Sequence, residues 1–290
     1  MSKVGIVILN YNDYEETYKF VESIKDFKVL NEIIVVDNAS TDGSFNILKK
    51  LENKKIKVIG AKENEGYSSG NNLGIKELGN RVDYIIISNP DITVSEKTIK
   101  KLKEDLDEDS SKSLIAPVVK QQGKEFRGWR LPNYTDELLS NINYVQRKAK
   151  EKLYYDESKY TDEFTRVEAV SGCFFMIRRD VLNLIGNFDD STFLYYEENI
   201  LGKKLETINK SSYIDNTVSV NHNLSVSVDK SFNSINKYKM LKKSQKYYVK
   251  YYLKINIFGI ILLEILYGIS LGISYIICFF RNLRRKKWKT

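Results

Sequence analysis

The chain is poor in cysteine, proline and histidine. Two cysteines in 290 residues, Cys173 and Cys278, cannot build a disulfide framework, and no cysteine or histidine spacing suits zinc. A reducing compartment is the simple expectation. Three prolines and fifteen glycines exclude collagen-like and low-complexity chains. The opening MSKVGIVILNYND lacks the basic and apolar regions of a secretory signal. What is present suffices for a globule, with 42% hydrophobic and 29% charged residues. The length suits one α/β domain with an appendage, or two small domains.

The formal net charge of +8 is unevenly spread. Residues 230–290 carry fourteen lysines and arginines against one acid, Glu264, a net of +13 that leaves −5 on residues 1–229. A mildly acidic body with a basic tail points to an anionic surface met by the tail alone. Aromatic residues interleaved with lysines can bind RNA, but no RNA-binding motif accompanies them. Nucleic acid is therefore not an expected partner.

Short β-branched runs at 3–9, 32–36, 56–60 and 83–88 read as buried strands, with helices at 14–27 and 44–52. This alternation predicts an α/β fold, a mostly parallel sheet with helices on both faces. Residues 64–74, NEGYSSGNNLG, read as a loop running into a helix. Beyond them come a helix at 96–108, a strand at 114–119 and a polar, aromatic stretch at 120–165 that reads as a lid or acceptor-side insertion. Residues 167–178 read as a strand, a glycine turn and an apolar run, and 199–208 has helical spacing. A last strand at 213–222 ends at the only histidine, His222. Polar clusters at 10–13, 37–42 and 89–91 each follow a strand. Ligands of parallel sheets bind beyond the carboxyl ends of the strands, so these clusters should share one edge.

The tail divides in two. Residues 237–254 hold seven lysines among tyrosines, and 257–280 are apolar apart from Glu264 and small polar residues. The apolar run exceeds the roughly 20 residues that cross a bilayer. Basic flanks on both sides give no orientation, and Glu264 is costly if it faces lipid. One reading is a single span. The other, favoured by the flanks, is helices lying in the cytoplasmic leaflet against anionic lipid. A buried core helix or a homo-oligomer interface is the remaining alternative.

Asp91 follows Asn89-Pro90 at the end of a strand, where a carboxylate suits Mg²⁺ or Mn²⁺. Glu197-Glu198 opens a helix, and one of the two can act as a general base. His222 is a further candidate ligand for metal or diphosphate. A metal carboxylate with a free carboxylate fits displacement of a diphosphate by an incoming hydroxyl.

The order of these elements resembles the family 2 glycosyltransferases, inverting enzymes of the GT-A fold, and especially their rhamnosyltransferase-like bacterial branch. The matching stretches are VGIVILNYN at 4–12, IIVVDNASTDGS at 33–44, NEGYSSGNNLGI at 64–75, IIISNPDITV at 85–94, the run at 170–205 and VSVNHNLSVS at 218–227. The resemblance implies that Asp37 binds the base or ribose, with Asn10 and Asn12 beside it, and that Asn64, Gly66, Asn71 and Asn89 lie along the nucleotide. It implies metal at Asp91 and His222, the catalytic base at Glu198 or its neighbour Glu197, and a sugar pocket at Gly172. Trp129 and Tyr195-Tyr196 become candidate sugar-stacking surfaces. Two positions depart from the pattern. Asn89 stands where many relatives carry the first aspartate of a DxD motif, and Glu198 replaces the usual aspartate.

The expectation is a catalytic domain at 1–229 and a membrane-associating helical region at 230–290. The enzyme would move a sugar from a UDP- or dTDP-sugar to a hydroxyl of a lipid-linked or polysaccharide acceptor, at the cytoplasmic face of a bacterial membrane, for capsule or cell-wall glycan. A catalytically weak, membrane-tethered, glycan-binding scaffold of the same fold is the alternative. A sugar nucleotidyltransferase is disfavoured, because the first strand ends in Asn10-Tyr11-Asn12 rather than in a glycine-rich phosphate loop.

Overall fold

The computed structural model describes residues 1–142, 145–223 and 234–287. The expected boundary at 229/230 and the end of the motif at 218–227 lie outside the described residues, as does the side chain of Cys278.

The first part alternates strand and helix: β1 (Val4–Asn10), α1 (Tyr14–Ile24), β2 (Leu30–Asp37), α2 (Ser44–Leu48), β3 (Ile56–Gly60), α3 (Tyr67–Leu78) and β4 (Tyr84–Ser88). Next come β5 (Ile92–Thr93), α4 (Glu96–Glu108), β6 (Lys112–Gln121), β7 (Lys124–Phe126), α5 (Tyr134–Leu139) and α6 (Gln146–Glu151). They are followed by β8 (Phe164–Val167), β9 (Phe174–Arg178), α7 (Arg179–Ile185), α8 (Glu197–Thr207) and β10 (Ser211–His222). The tail forms α9 (Ser234–Tyr251) and α10 (Ile257–Lys287).

One sheet runs β3-β2-β1-β4-β9-β6-β10-β5, with β7 on β6 and β8 on β10. The first four strands are parallel, as the alternation predicts. The second half is mixed, because β9 lies antiparallel to both β4 and β6. No helix separates β8 from β9, and only parallel neighbours require a crossover.

Both faces of the sheet are covered, which explains the unbroken apolar runs. Ile6 and Ile8 meet Phe20, Val21 and Ile24 of α1 and Leu102 of α4 on one face. Val7, Ile34 and Val36 meet Ile75 and Leu78 of α3 and Leu201 and Leu205 of α8 on the other. Each fully buried branched side chain contributes about 2 kcal/mol.

Three local expectations are corrected. The helix expected over 44–52 ends at Leu48 and tightens into a 3-10 turn at Lys49–Leu51. The glycine-rich stretch turns helical already at Tyr67. Its Gly74 serves contact rather than looseness, since a methyl there would sit 2.3 Å from Val7 Cγ1. The stretch 120–165 is no single loop: it pairs β7 to the sheet and forms α5 and α6.

The tail folds onto α5. Val249, Ile260 and Leu263 pack with Tyr134 and Leu138 as a third, small core. The Tyr134 hydroxyl donates to the Gly259 carbonyl at 2.7 Å. Lys246 of α9 pairs with Glu264 of α10 at 2.6 Å, which gives that lone acid a partner. Ile257–Ile276 is long and apolar enough to cross a membrane, with a mean hydropathy of 2.1, and little of it is buried. Phe258, Ile265, Ile269 and Ile276 are among its exposed side chains.

Candidate active site

The carboxyl ends of β1, β2 and β4 fall in register. Asn10 pairs with Asp37 across the parallel strands, and Asn38 N donates to the Asn10 carbonyl at 2.8 Å. Beyond this edge lies a cavity of about 660 Å³. Its wall includes Tyr11, Asn38, Asn64, Gly66, Tyr67, Asn89, Asp91 and His222 on the strand side, and Gly172, Glu197 and Glu198 below α8. Trp129, Glu137, Tyr196 and Lys242 complete it from α5, α9 and the intervening loops.

Not every polar residue at the strand ends faces this space. Asn10 and Asp37 are buried, and the Asn10 amide donates to Asp37 Oδ1 at 2.7 Å. Asp37 Oδ2 takes the Ser40 N–H at 3.0 Å, and Asn10 Oδ1 takes the Thr17 hydroxyl at 2.8 Å. Asn12, at φ 51°, accepts from Thr41 N at 2.8 Å. Asn71 is buried, and its amide donates to the Tyr67 carbonyl one turn back at 3.0 Å. These four are absent from the lining residues and brace the loops behind the wall. Asn38, Tyr11 and Tyr67 line it instead. Asn38 had a local signal, being next to Asp37 at a strand end. Its amide holds Asn64 Oδ1 at 3.0 Å and the Gly66 carbonyl at 3.1 Å. Gly66 itself, at φ 107°, admits no side chain, since a Cβ would lie 2.1 Å from the Phe193 carbonyl oxygen.

The acid pair is held from two sides. Gly172 N donates to Glu198 Oε1 at 3.2 Å, and the Tyr67 hydroxyl donates to the Gly172 carbonyl at 2.7 Å. A Cβ on Gly172 would come within 3.0 Å of Glu198 Oε1, so the turn needs a small residue there. Burial and the neighbouring Glu198 charge push the Glu197 carboxyl up to about 8. Burial also raises Glu198, against hydrogen bonds from backbone N–H groups that lower it. A carboxylate poised near neutral pH suits proton abstraction. Cys173 lies beside the site, but burial pushes its thiol up to about 12, which removes it as a nucleophile.

Asp91 and His222 meet because the two-residue β5 pairs antiparallel with the end of β10. His222 Nε2 lies 3.2 Å from Asp91 Oδ1, and Asp91 is buried at the cavity wall. Two ligands at right angles on an octahedral Mg²⁺ would be about 3 Å apart, so this pair fits a divalent cation. Among the described residues no cluster of three ligating side chains exists, so further ligands would have to come from a bound diphosphate or water.

Of the three proposed stacking residues, all bordering the cavity, Trp129 and Tyr196 differ in their partners. Trp129 is pinned to α8 by its indole N–H on Asn199 Oδ1 at 2.9 Å and tilts against Tyr154. Tyr196 gives its hydroxyl to Glu137 Oε2 at 2.6 Å and its ring to Tyr248, with centroids 5.5 Å apart. Much of Tyr196 is thus engaged within the protein, although it still borders the cavity. Glu137 and Gln245, which meet here, carry no motif in the sequence.

A model of glycosyl transferase family 2 matches residues 5–186. The low-salt glycan biosynthesis hexosyltransferase Agl10 of Haloferax volcanii is 27% identical over 203 residues, 68% of this chain. The chain spans 60% of that relative's length. Among solved structures, GalNAc-T7 with UDP, GalNAc and Mn²⁺ superposes at a TM-score of 0.60 and 14% identity, covering 84% of this chain and 51% of its own. A mannosyltransferase of Pyrobaculum calidifontis with GDP-Man and Mn²⁺ gives 0.60 and 14%, over 93% and 72%. Staphylococcus aureus TarS 1–349 with UDP-GlcNAc gives 0.58 and 14%, over 86% and 67%. These structures share the GT-A fold with this chain, which belongs to glycosyl transferase family 2.

Proposed function

We propose that the protein is an inverting glycosyltransferase that moves a hexosyl or deoxyhexosyl group, rhamnose included, from a UDP- or dTDP-sugar to a hydroxyl of a lipid-linked or polysaccharide acceptor. The observation that carries this reading is the joint presence, on one cavity, of the Gly172-anchored Glu198 and the Asp91–His222 pair. The relative's role in glycan biosynthesis and the neighbours' UDP-GlcNAc and GDP-Man ligands agree with it.

Asp91 and His222 would hold Mg²⁺ or Mn²⁺, which when bound neutralises charge on the departing diphosphate. Asn38, Asn64 and the strand ends shape the nucleotide side. Glu198 takes the proton from the acceptor hydroxyl as its oxygen bonds to the anomeric carbon. The bond from that carbon to the diphosphate oxygen breaks on the opposite face, and the configuration inverts. A positioned base of this kind contributes roughly 10²–10⁴ in rate.

The exposed apolar face of α10 and the lysines of α9 support contact with an anionic bilayer at the cytoplasmic side, where capsule or cell-wall acceptors are presented. Screening UDP- and dTDP-sugars by thermal shift with Mn²⁺ tests the donor. One donor should raise Tm only with the metal present. No shift and no turnover with any nucleotide sugar would favour the non-catalytic scaffold. Flotation with phosphatidylglycerol vesicles, but not with neutral ones, is the expected result for the tail.

A further inference from the structure

The chain from Asp189 to Tyr196 delivers the acid pair to the cavity, and it ends in an uncommon backbone. Tyr195 and Tyr196 are consecutive left-handed residues, at φ 74° and 73°. Non-glycine residues stay in that region only where the surroundings hold them. Tyr67 N donates to the Phe193 carbonyl at 3.0 Å from the strand side, and the rest of the holding comes from the tail and α5. Ser244 Oγ donates to the Leu194 carbonyl at 2.7 Å. The Tyr247 and Tyr252 hydroxyls donate to Asp189 Oδ2 at 2.9 and 2.6 Å. Gln245 Nε2 donates to Glu137 Oε2 at 2.6 Å, the same oxygen that accepts the Tyr196 hydroxyl at 2.6 Å. Glu137 and Gln245 are both buried, and Tyr248 packs on the Tyr196 ring.

We propose that α9 is a positioning element of the active site. Gln245, acting through Glu137 and the Tyr196 hydroxyl, sets the placement of Glu197 and Glu198. This rests on the reading of that pair as the base. It gives the tail a second task besides any membrane contact, and it makes residues 230–290 more than a detachable anchor.

The test uses full-length protein and the donor found by the nucleotide-sugar screen. Gln245→Leu and Tyr196→Phe should each lower kcat about tenfold or more while the donor KM stays within twofold, since small misplacements of a reacting group are costly. The double variant should be no worse than the more impaired single one, because both cut the same relay. Amide hydrogen exchange should rise at 189–199 in both variants and stay unchanged at 4–10 and 30–37. Lys97→Ala, exposed on α4 and outside the relay, should leave kcat and exchange unchanged. Unaltered kcat, or losses that multiply in the double variant, would overturn the relay. If the wild type transfers no sugar, the functional reading fails by itself. The exchange pattern still decides positioning, and unaltered exchange at 189–199 would refute it.

Discussion

The two walls of the cavity are built in opposite ways. The strand-side wall comes from loops at the carboxyl ends of β1, β2 and β4, each visible in the sequence as a polar cluster after a strand, with His222 added from the end of β10. The tail-side wall joins α5 to α9, and its central bond links Glu137 to Gln245 across 108 positions. In the proposed function the first wall takes the nucleotide with groups that the strand ends present, and the second positions the carboxylates through side chains that only the folded chain brings together.

Damage to the two walls should therefore look different. Apart from loss of the base itself, the largest effect is expected at the cation pair. Asp91→Ala, or chelation of divalent metal, should lower transfer by 10²-fold or more on an order-of-magnitude scale, with Mn²⁺ restoring the chelated wild type and not the variant. Next in size is Gly66→Ala, where the φ of 107° and the Phe193 carbonyl forbid a methyl. A loss of about 3 kcal/mol in chemical denaturation is expected, with weaker UDP binding.

The pH profile sharpens the contrast. Glu197 is pushed up to about 8 by burial and by Glu198, and burial raises Glu198 as well. The charged base accumulates as pH rises, so kcat/KM should climb with pH above the usual carboxylate range. Glu197→Gln should leave that rise in place, because burial rather than its neighbour raises Glu198. A profile flat with pH above the usual carboxylate range would exclude Glu198 as the titrating base.

The smallest effect lies away from both walls. Burial, assisted by the neighbouring Asp215, pushes the Asp105 carboxyl up to about 7, although Lys101 opposes the rise. Its folded value exceeds the unfolded value of about 3.9, so its contribution to stability is full below about pH 4 and is lost as pH rises through about 7. Asp105→Asn should raise Tm by a few degrees at pH 8 and change it little at pH 4. Equal shifts at both pH values would contradict this.

The parallel half of the sheet and the polar edge were legible because β-branched runs and the clusters after them are local signals. Asp91 and His222 follow strands and Glu197-Glu198 opens a helix, all local signals, whereas Gly172 is singled out by the family resemblance. Two matters were not legible. The direction of β9 depends on which strands it enters between, and the 120–165 stretch has too little periodicity to reveal α5 and α6. Glu137, Gln245 and Ser244 look like ordinary residues of polar helices, and the role proposed for them arises from a contact made only when the tail docks. Glu264 is costly if it faces lipid, and only the folded tail shows that it pairs with Lys246. Asn10, Asn12, Asp37 and Asn71, read as nucleotide contacts, hydrogen-bond within the protein near the strand ends, where short polar side chains serve turns as readily as ligands.

The central claim is that Glu198 deprotonates the acceptor on a cavity that binds the donor independently. The most direct measurement is sugar transfer and UDP–Mn²⁺ affinity for Glu198→Gln beside the wild type. The account predicts a kcat lower by about 10³-fold with affinity unchanged within twofold. Undiminished transfer by Glu198→Gln would contradict it.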